Sequence, residues 1–557
     1  MDTELFIEKS ALENAVKFAG KANPKALIGK VLGQFPDAKK DMKHIVSVIH
    51  SIVEKVNALS LESQKARLDE LGGMSQKKAK EKGLKELDDA KPGNVVMRFA
   101  PSPSGPMHIG HAITGGLTSL YVKKYGGKFI LRIEDTNAEN IYPPAYDMLV
   151  DDAHWIFQNV SEVVVQSQRI DLYYSYAKDM LLKGILYVDL SSAEEFAECA
   201  TKQIDPASKS YEPQKQLELF EQMIDGTIAR GDAVVRYKGD MTHKNPAMRD
   251  FPLFRINETP HPKMGTKYRV WPLMNFSVFV DDLTMGMTHI IRAKDHADNA
   301  KRQELLYEAL GKKPPITYFT GRYKFTDLEL SSTKTREKIE SGQYQSWDDI
   351  RLPTLCALKR RGFTPESILH IAEENGLSKT DKVVDKQEFF QTIEAQNSRI
   401  LDENTKRYFL IREPHKIQLS RDEQVTLNAH PTKDLGSRTL HVKDSVYIEE
   451  NDALKLQQGV VRLLDYCNIT ESGIVSQTYD EYKHETQKSG IIHWLPTQDE
   501  SIVQVQIHMP DGSVSTALAE KTILSEEIGA IVQFERFGFC RLDSILDDGM
   551  RVFWFTQ

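Results

Sequence analysis

Residues 95–111 read Val-Val-Met-Arg-Phe-Ala-Pro-Ser-Pro-Ser-Gly-Pro-Met-His-Ile-Gly-His. The first five favour an extended strand. Pro101, Pro103, Gly105 and Pro106 then force a stiff, irregular turn, and Pro106 suits the first turn of a helix. The predicted helix carries apolar residues at Ile109, Ala112, Ile113, Leu117, Leu120 and Tyr121 and stops at Gly126-Gly127. KFILRI (128–133) reads as a second strand. Strand, helix and strand at this spacing form one βαβ unit and predict a parallel sheet with right-handed crossovers. The turn lies outside the carboxyl end of the first strand, where doubly wound sheets bind ligands.

His108 and His111 are three residues apart and share one helical face. Gly110 between them lets a flat ring or a ribose approach the backbone. The helix start adds free N–H donors and partial positive charge, which suit phosphate. The pair by itself admits three readings: zinc ligands awaiting a third partner, phosphate contacts, or surface decoration.

Outward from this unit the chain changes character several times. Towards the N-terminus, Ile45, Val46, Val48, Ile49, Ile52, Val53, Val56 and Leu59 fit an amphipathic helix. The lysine-rich stretch SQKKAKEKGLKEL (75–87) reads as a linker or a charged surface helix, with a boundary near Pro92 and Asn94. Residues 1–94 are thus a helical extension and linker. An α+β insertion is expected at about 170–262 within a catalytic domain of 95–335. Strand-like segments follow at 274–280 and 289–292, a helix at 296–310 and a strand at 316–320. Residues 336–400 read as helical, and 401–557 as short β segments forming one or two small barrels. The fold class is therefore α/β and multidomain.

With 72 Lys+Arg against 80 Asp+Glu in 557 residues, the formal charge is −8. That balance argues against a non-specific nucleic-acid coat but leaves room for a local basic groove. No apolar run reaches the roughly 20 residues that span a bilayer. The opening MDTELFIEKSALENAVKFA mixes acids among its apolar residues, unlike a secretory signal or a transit peptide, so a cytoplasmic protein is expected. Four widely spaced cysteines give neither a disulfide framework nor an all-cysteine zinc site, so no structural zinc is expected.

The full string P-x-P-x-G-x-x-H-I-G-H resembles the HIGH motif of class I aminoacyl-tRNA synthetases, and its RFAPSPSG lead-in resembles their glutamyl and glutaminyl branch. LELSSTKTREKIESG (328–342) is similar to that family's mobile lysine loop in degenerate form. The loop's first lysine is absent, so only Lys334 carries over. LRIEDTN (131–137), NPAMRDFPLFRI (245–256) and SWDDIRLPTLCALKRRGFTPE (346–366) resemble further family segments. KRYFLIREPHKIQL (406–419), opening a β-rich tail, resembles the archaeal and eukaryotic glutamyl type.

The resemblance implies a Rossmann-like domain that activates an amino acid with ATP, Mg²⁺ travelling with the nucleotide, and transfers it to tRNA. His108, Gly110, His111 and Lys334 would hold ATP, with His108, His111 and Lys334 catalytic. Arg98, Ser102, Glu134 and Arg292 would hold the amino acid, with Glu134 taking the ammonium group. Asn245, Arg249 and Asp250 are candidates for the tRNA acceptor end, and the barrels for the anticodon. An arginine pair suits a side-chain carboxylate, because a guanidinium grips it with charged hydrogen bonds. Arg292, where the glutamine enzyme carries a small neutral residue, favours glutamate with tRNA(Glu), and in relaxed forms tRNA(Gln). Met274 stands where the family commonly has tyrosine and cannot donate that hydrogen bond. The alternatives are the glutaminyl enzyme, a small-molecule nucleotidyltransferase of HIGH type, and a silent tRNA-binding paralogue. Oligomeric state is not readable from the sequence.

Overall fold

The computed structural model describes residues 3–18, 20–35, 41–73 and 83–557. The lysine-rich stretch at 75–82 lies outside them. Two compact units result, Met1–Lys82 and Gly83–Gln557.

The first unit contains helices α1 (Thr3–Lys17), α2 (Pro24–Gln34), α3 (Met42–Asn57) and α4 (Leu61–Glu70). Ile7, Ala11, Leu12 and Ala15 of α1 recur at helical spacing and meet Ile49, Val53 and Val56 of α3 in one core. Asn23, Asp41 and Ser60 cap α2, α3 and α4.

The second unit opens with β1 (Val96–Phe99), α5 (Ile109–Tyr125), β2 (Lys128–Ile133), α6 (Ala145–Phe157) and β3 (Glu162–Val165). The strands pair in parallel in the order β1-β2-β3. Gly126 ends α5 in a left-handed conformation (φ 66°). Gly127 must stay bare, because a Cβ there would lie 1.9 Å from the Val95 carbonyl oxygen. The expected boundary at Pro92 and Asn94 falls inside this unit. Leu87 joins its core, and the Leu87 and Asp88 amides donate to Tyr125 and Tyr318.

Next come α7 (Ile170–Leu182), β4 (Leu186–Asp189), α8 (Ala193–Lys202), α9 (Pro213–Asp225), β5 (Val234–Tyr237), β6 (Pro252–Ile256) and β7 (Val270–Pro272). The four strands form an antiparallel sheet in sequence order over a separate aromatic core. Its last strand lies beyond the expected limit at 262.

One sequence expectation fails outright. Residues 274–280 are not a strand but the start of helix α10 (Met274–Thr284). The alternation in Met-Asn-Phe-Ser-Val-Phe-Val mimics a strand, yet Asn275 through Asp282 are all buried. A helix enclosed on every side shows no amphipathic period, so pattern alone misleads.

The chain returns through β8 (His289–Ala293), α11 (Ala297–Ala309) and β9 (Ile316–Thr320), with β8 and β9 parallel. β8 meets β1 near the start of each. Thr288 N donates to Val96 O (3.0 Å), and Val96 N to Thr288 Oγ1 (2.9 Å). No ladder continues between them among the described residues, which leaves a crevice where strand order reverses.

Helices α12 (Ser332–Glu340), α13 (Leu355–Arg361), α14 (Pro365–Asn375) and α15 (Lys386–Asp402) follow. Beyond them, seven strands run in the spatial order 407–408, 531–534, 538–545, 551–555, 502–508, 514–520 and 410–411. Both edges come from the single segment 407–411, so the sheet wraps nearly closed. The long hairpin Pro414–Asn428 and Ser437–Glu449, with a bulge between Gln418 and Asp422, packs with a four-stranded sheet around Trp494. The four cysteines are unpaired, Cys467 and Cys540 buried, Cys199 and Cys356 partly so. Burial pushes Cys356 and Cys467 up to about 12 and Cys540 well above the ordinary thiol range. Among the described residues no helix is long and apolar enough to cross a membrane.

Candidate active site

The turn after β1 is fastened from three sides. Met107 N donates to Asp152 Oδ2 of α6 (2.8 Å), whose carboxyl group burial pushes up to about 7. Ile109 N donates to Pro353 O (3.1 Å) and Leu355 N to Met107 O (2.8 Å), a miniature ladder onto the start of α13. Glu134 N donates to Pro101 O (2.9 Å), joining the turn to the end of β2.

His108 is the N-cap of α5. Its Nδ1 accepts from Gly110 N (3.1 Å), while His111 Nδ1 accepts from His108 N (3.3 Å). The rings stack with centroids 3.8 Å apart. A ring nitrogen that accepts carries no proton, so both neutral imidazoles hold theirs on Nε2. Burial drives His108 well below the ordinary histidine value, helped by the neighbouring ring, and drives His111 down to about 4. The helix therefore presents two uncharged N–H donors at neutral pH. Gly110 leaves room beside them: a Cβ there would press to 2.9 Å from His108 Cε1.

The Ser/Thr-rich loop does come to this turn. Leu330 lies beside Gly110 and Ser332 beside Gly105, where added Cβ atoms would sit 3.6 and 3.1 Å from them. Lys334 itself, in the first turn of α12, is turned outward. Its side chain is 63% exposed and pairs with Glu329 at 3.0 Å.

Arg98 and Arg292 face a buried ionic network whose other members the sequence reading missed. Arg132 is fully buried and donates to Asp282 Oδ1 (2.6 Å) and Glu134 Oε1 (3.2 Å). Arg98 Nε pairs with the same Asp282 at 3.3 Å. Asp281 accepts from Arg169 (2.8 Å), Gln166 (2.9 Å) and Tyr173 (2.8 Å). Burial alone would raise Asp282, but Arg98, Arg132 and Arg292 outweigh it and hold the carboxyl group below its ordinary value. Glu134 is raised, burial outweighing Arg132 and Arg98. Burial and then the charge of Arg98 bring Arg292 down to about 10. Among the described residues its only side-chain bond is Nη1 to Gln303 Oε1 (3.1 Å). Four guanidiniums thus face three carboxylates, and Arg292 is the one with no anion in contact. Arg132 inside an apolar strand and Asp281-Asp282 after Val278-Phe279-Val280 were the available signals, since charges within buried elements demand partners.

The other candidates differ. Ser102 is exposed beside the turn. Met274 stands at the start of α10 and, among the described residues, makes no side-chain hydrogen bond. Asn245 caps a short turn, accepting from Ala247 N (3.0 Å), and donates to Asp298 (3.4 Å). Arg249 is spent on the carbonyls of Ala200 (2.7 Å) and His243 (3.0 Å). Asp250 is 2% exposed and serves the fold: it binds Lys209 (2.9 Å), Tyr187 (2.9 Å) and Gly239 N (2.8 Å). An acceptor-end contact at Asp250 would have to displace these partners. Among the described residues no group of three or more His, Cys, Asp or Glu is arranged to hold a metal ion.

The model of the catalytic domain of class I tRNA synthetases (E and Q) matches residues 94–400. Two anticodon-binding domain models of the same class match 405–487 and 491–543. A glutamate--tRNA ligase of Methanocaldococcus jannaschii is 41% identical over 97% of this chain and 97% of its own. One of Methanobrevibacter smithii is 39% identical over the whole of both. A crystal structure of a glutamate tRNA ligase from Elizabethkingia meningosepticum aligns over 55% of this chain and 70% of its own, with 20% identity and a TM-score of 0.37. With the catalytic model covering more than half of its residues and relatives matching end to end, this chain belongs to the class I tRNA synthetases of the E and Q group.

Proposed function

We propose that this protein ligates L-glutamate to the 3′ end of tRNA(Glu) through a glutamyl-adenylate. The observation that carries this reading is Arg292, a buried guanidinium beside Arg98 and without an anion, in a network one negative charge short. A side-chain carboxylate supplies that charge; glutamine does not. Glu134, at the end of β2, takes the α-ammonium, and Ser102 lies at the rim. The α-carboxylate attacks the α-phosphorus of ATP in line and pyrophosphate leaves. The terminal ribose of tRNA then attacks the activated carbonyl and AMP leaves. Positioning and charge stabilisation do this work, with no covalent protein nucleophile. The Nε2–H groups of His108 and His111 donate to the phosphates, and Gly110 admits the ribose. Lys334 leaves Glu329 and swings inward to the departing pyrophosphate, while Mg²⁺ enters as part of the nucleotide substrate.

Asn245, Arg249 and Asp250 are the acceptor-end candidates, reachable only if their present bonds exchange. The β region from 401 onward reads the anticodon, and the cytoplasm is the setting. Charging of both tRNA(Glu) and tRNA(Gln) belongs to this proposal in its relaxed form. The deciding experiment is aminoacylation of each tRNA with labelled glutamate and, separately, glutamine. Glutamate should be charged and glutamine refused; the reverse removes the proposal. Arg292→Leu should lower kcat/KM for glutamate by about 30- to 1000-fold, with KM for ATP unchanged.

A further inference from the structure

From Arg292 in the charge-deficient corner runs a polar chain whose other two members the roles above leave unused. Arg292 of β8, Gln303 of α11 and Asn275 of α10 are 8%, 6% and 8% exposed. Arg292 Nη1 donates to Gln303 Oε1 at 3.1 Å, and Gln303 Nε2 donates to Asn275 Oδ1 at 3.4 Å. Chemistry fixes the direction of this chain at its first link. A guanidinium has no acceptor, so the end of Gln303 that faces it must be oxygen. The Gln303 nitrogen then faces Asn275, whose oxygen must accept. Asn275 is left with its NH₂, which donates to nothing among the described residues. It sits in the first turn of an eleven-residue helix whose N-cap, Leu273, makes no side-chain cap. The first-turn amides there add partial positive charge.

We propose that Gln303 is a positioning residue that locks the Asn275 amide with its NH₂ toward the substrate, so that Asn275 reads the side-chain carboxylate together with Arg292. This rests on the glutamate reading of the crevice and deepens it to how an acid is told from its amide. A carboxylate accepts from both groups at once. A substrate amide must set its own NH₂ against a donor, leaving both poorly satisfied. Without Gln303, Asn275 is free to turn its amide over and offer oxygen, which suits glutamine.

The test is pyrophosphate exchange by the full chain with tRNA present, varying glutamate, glutamine and ATP separately. Asn275→Asp keeps the shape but places an acceptor where the NH₂ was; KM for glutamate should rise ~10- to 100-fold, with kcat within ~3-fold and KM for ATP unchanged. Gln303→Met keeps the volume and breaks the relay; KM for glutamate should rise ~3- to 10-fold while the preference over glutamine narrows. The double variant should lose less than the sum of the two single losses, because Gln303 and Asn275 act in one chain. Should Asn275→Asp lower the melting temperature, Asn275→Ser removes the NH₂ without adding charge and carries the same expectation. Parental glutamate KM and parental discrimination in stably folded variants overturn the relay, as do additive losses in the double variant. The parent separates the two claims. If it activates no glutamate, the reading of the crevice falls; if it does and the variants are indifferent, only the relay falls.

Discussion

His108 serves the protein once through each ring nitrogen. Nδ1 caps α5, and Nε2 keeps its proton to donate. Asparagine reproduces the first and not the second. His108→Asn should therefore keep stability within ~0.5 kcal/mol while lowering kcat for pyrophosphate exchange by ~100- to 1000-fold. His108→Ala should lose the cap as well, for a further ~1 kcal/mol in thermal unfolding. Because both rings stay neutral until the pH falls far below the usual histidine range, the exchange profile should show no limb near ~6.5 from this pair. That His108 and His111 share the helix start was legible in the sequence, although the pair alone left zinc, phosphate and surface readings open. The tautomers were not, because they depend on which backbone amides each ring meets.

At the scale of elements, α10 supplies the counter-charge that lets β1, β2 and β8 bring arginines together. Asp282 holds Arg98 and Arg132 at once, and Arg132 has no surface exposed. Asp282→Asn leaves those guanidiniums under-compensated in the interior. It should cost about 3 to 5 kcal/mol, read as a fall in melting temperature whether or not substrate is present. This network shows where sequence reading stops. The strands and α5 followed from periodicity and from Gly126-Gly127. Arg132 and Asp282 are 150 residues apart, and no local pattern pairs them. The same buried helix read as a strand because it is enclosed on all sides.

For the whole molecule, pH dependence extends well beyond the nucleotide crevice. His493 lies in the β region, 3% exposed, with Nε2 against Leu410 O (2.6 Å). Burial, and next the charge of Arg536, pushes it down to about 4. In the unfolded chain it titrates near ~6.5, so the unfolded state takes up the proton first. Its contribution is full above that value and is lost as the pH falls towards 4. His493→Gln keeps a donor for Leu410 and removes the titration. Compared with the parent, it should flatten the acid limb of stability between about pH 6.5 and 4 by roughly 2 to 3 kcal/mol, measured by denaturant unfolding. The layout of helical extension, parallel sheet and β-rich tail was legible from changes in periodicity along the chain. Closure of the seven-stranded sheet was not, because both edges come from five consecutive residues.

The uneven burial of the cysteines has a practical outcome. Cys467 and Cys540 are buried, and burial pushes the partly exposed Cys356 up to about 12, whereas Cys199 lies partly exposed on α8. A maleimide dye at neutral pH should therefore attach at one place without any engineered substitution. That would put a fluorescent reporter on the antiparallel domain, ready to follow an arriving RNA in real time.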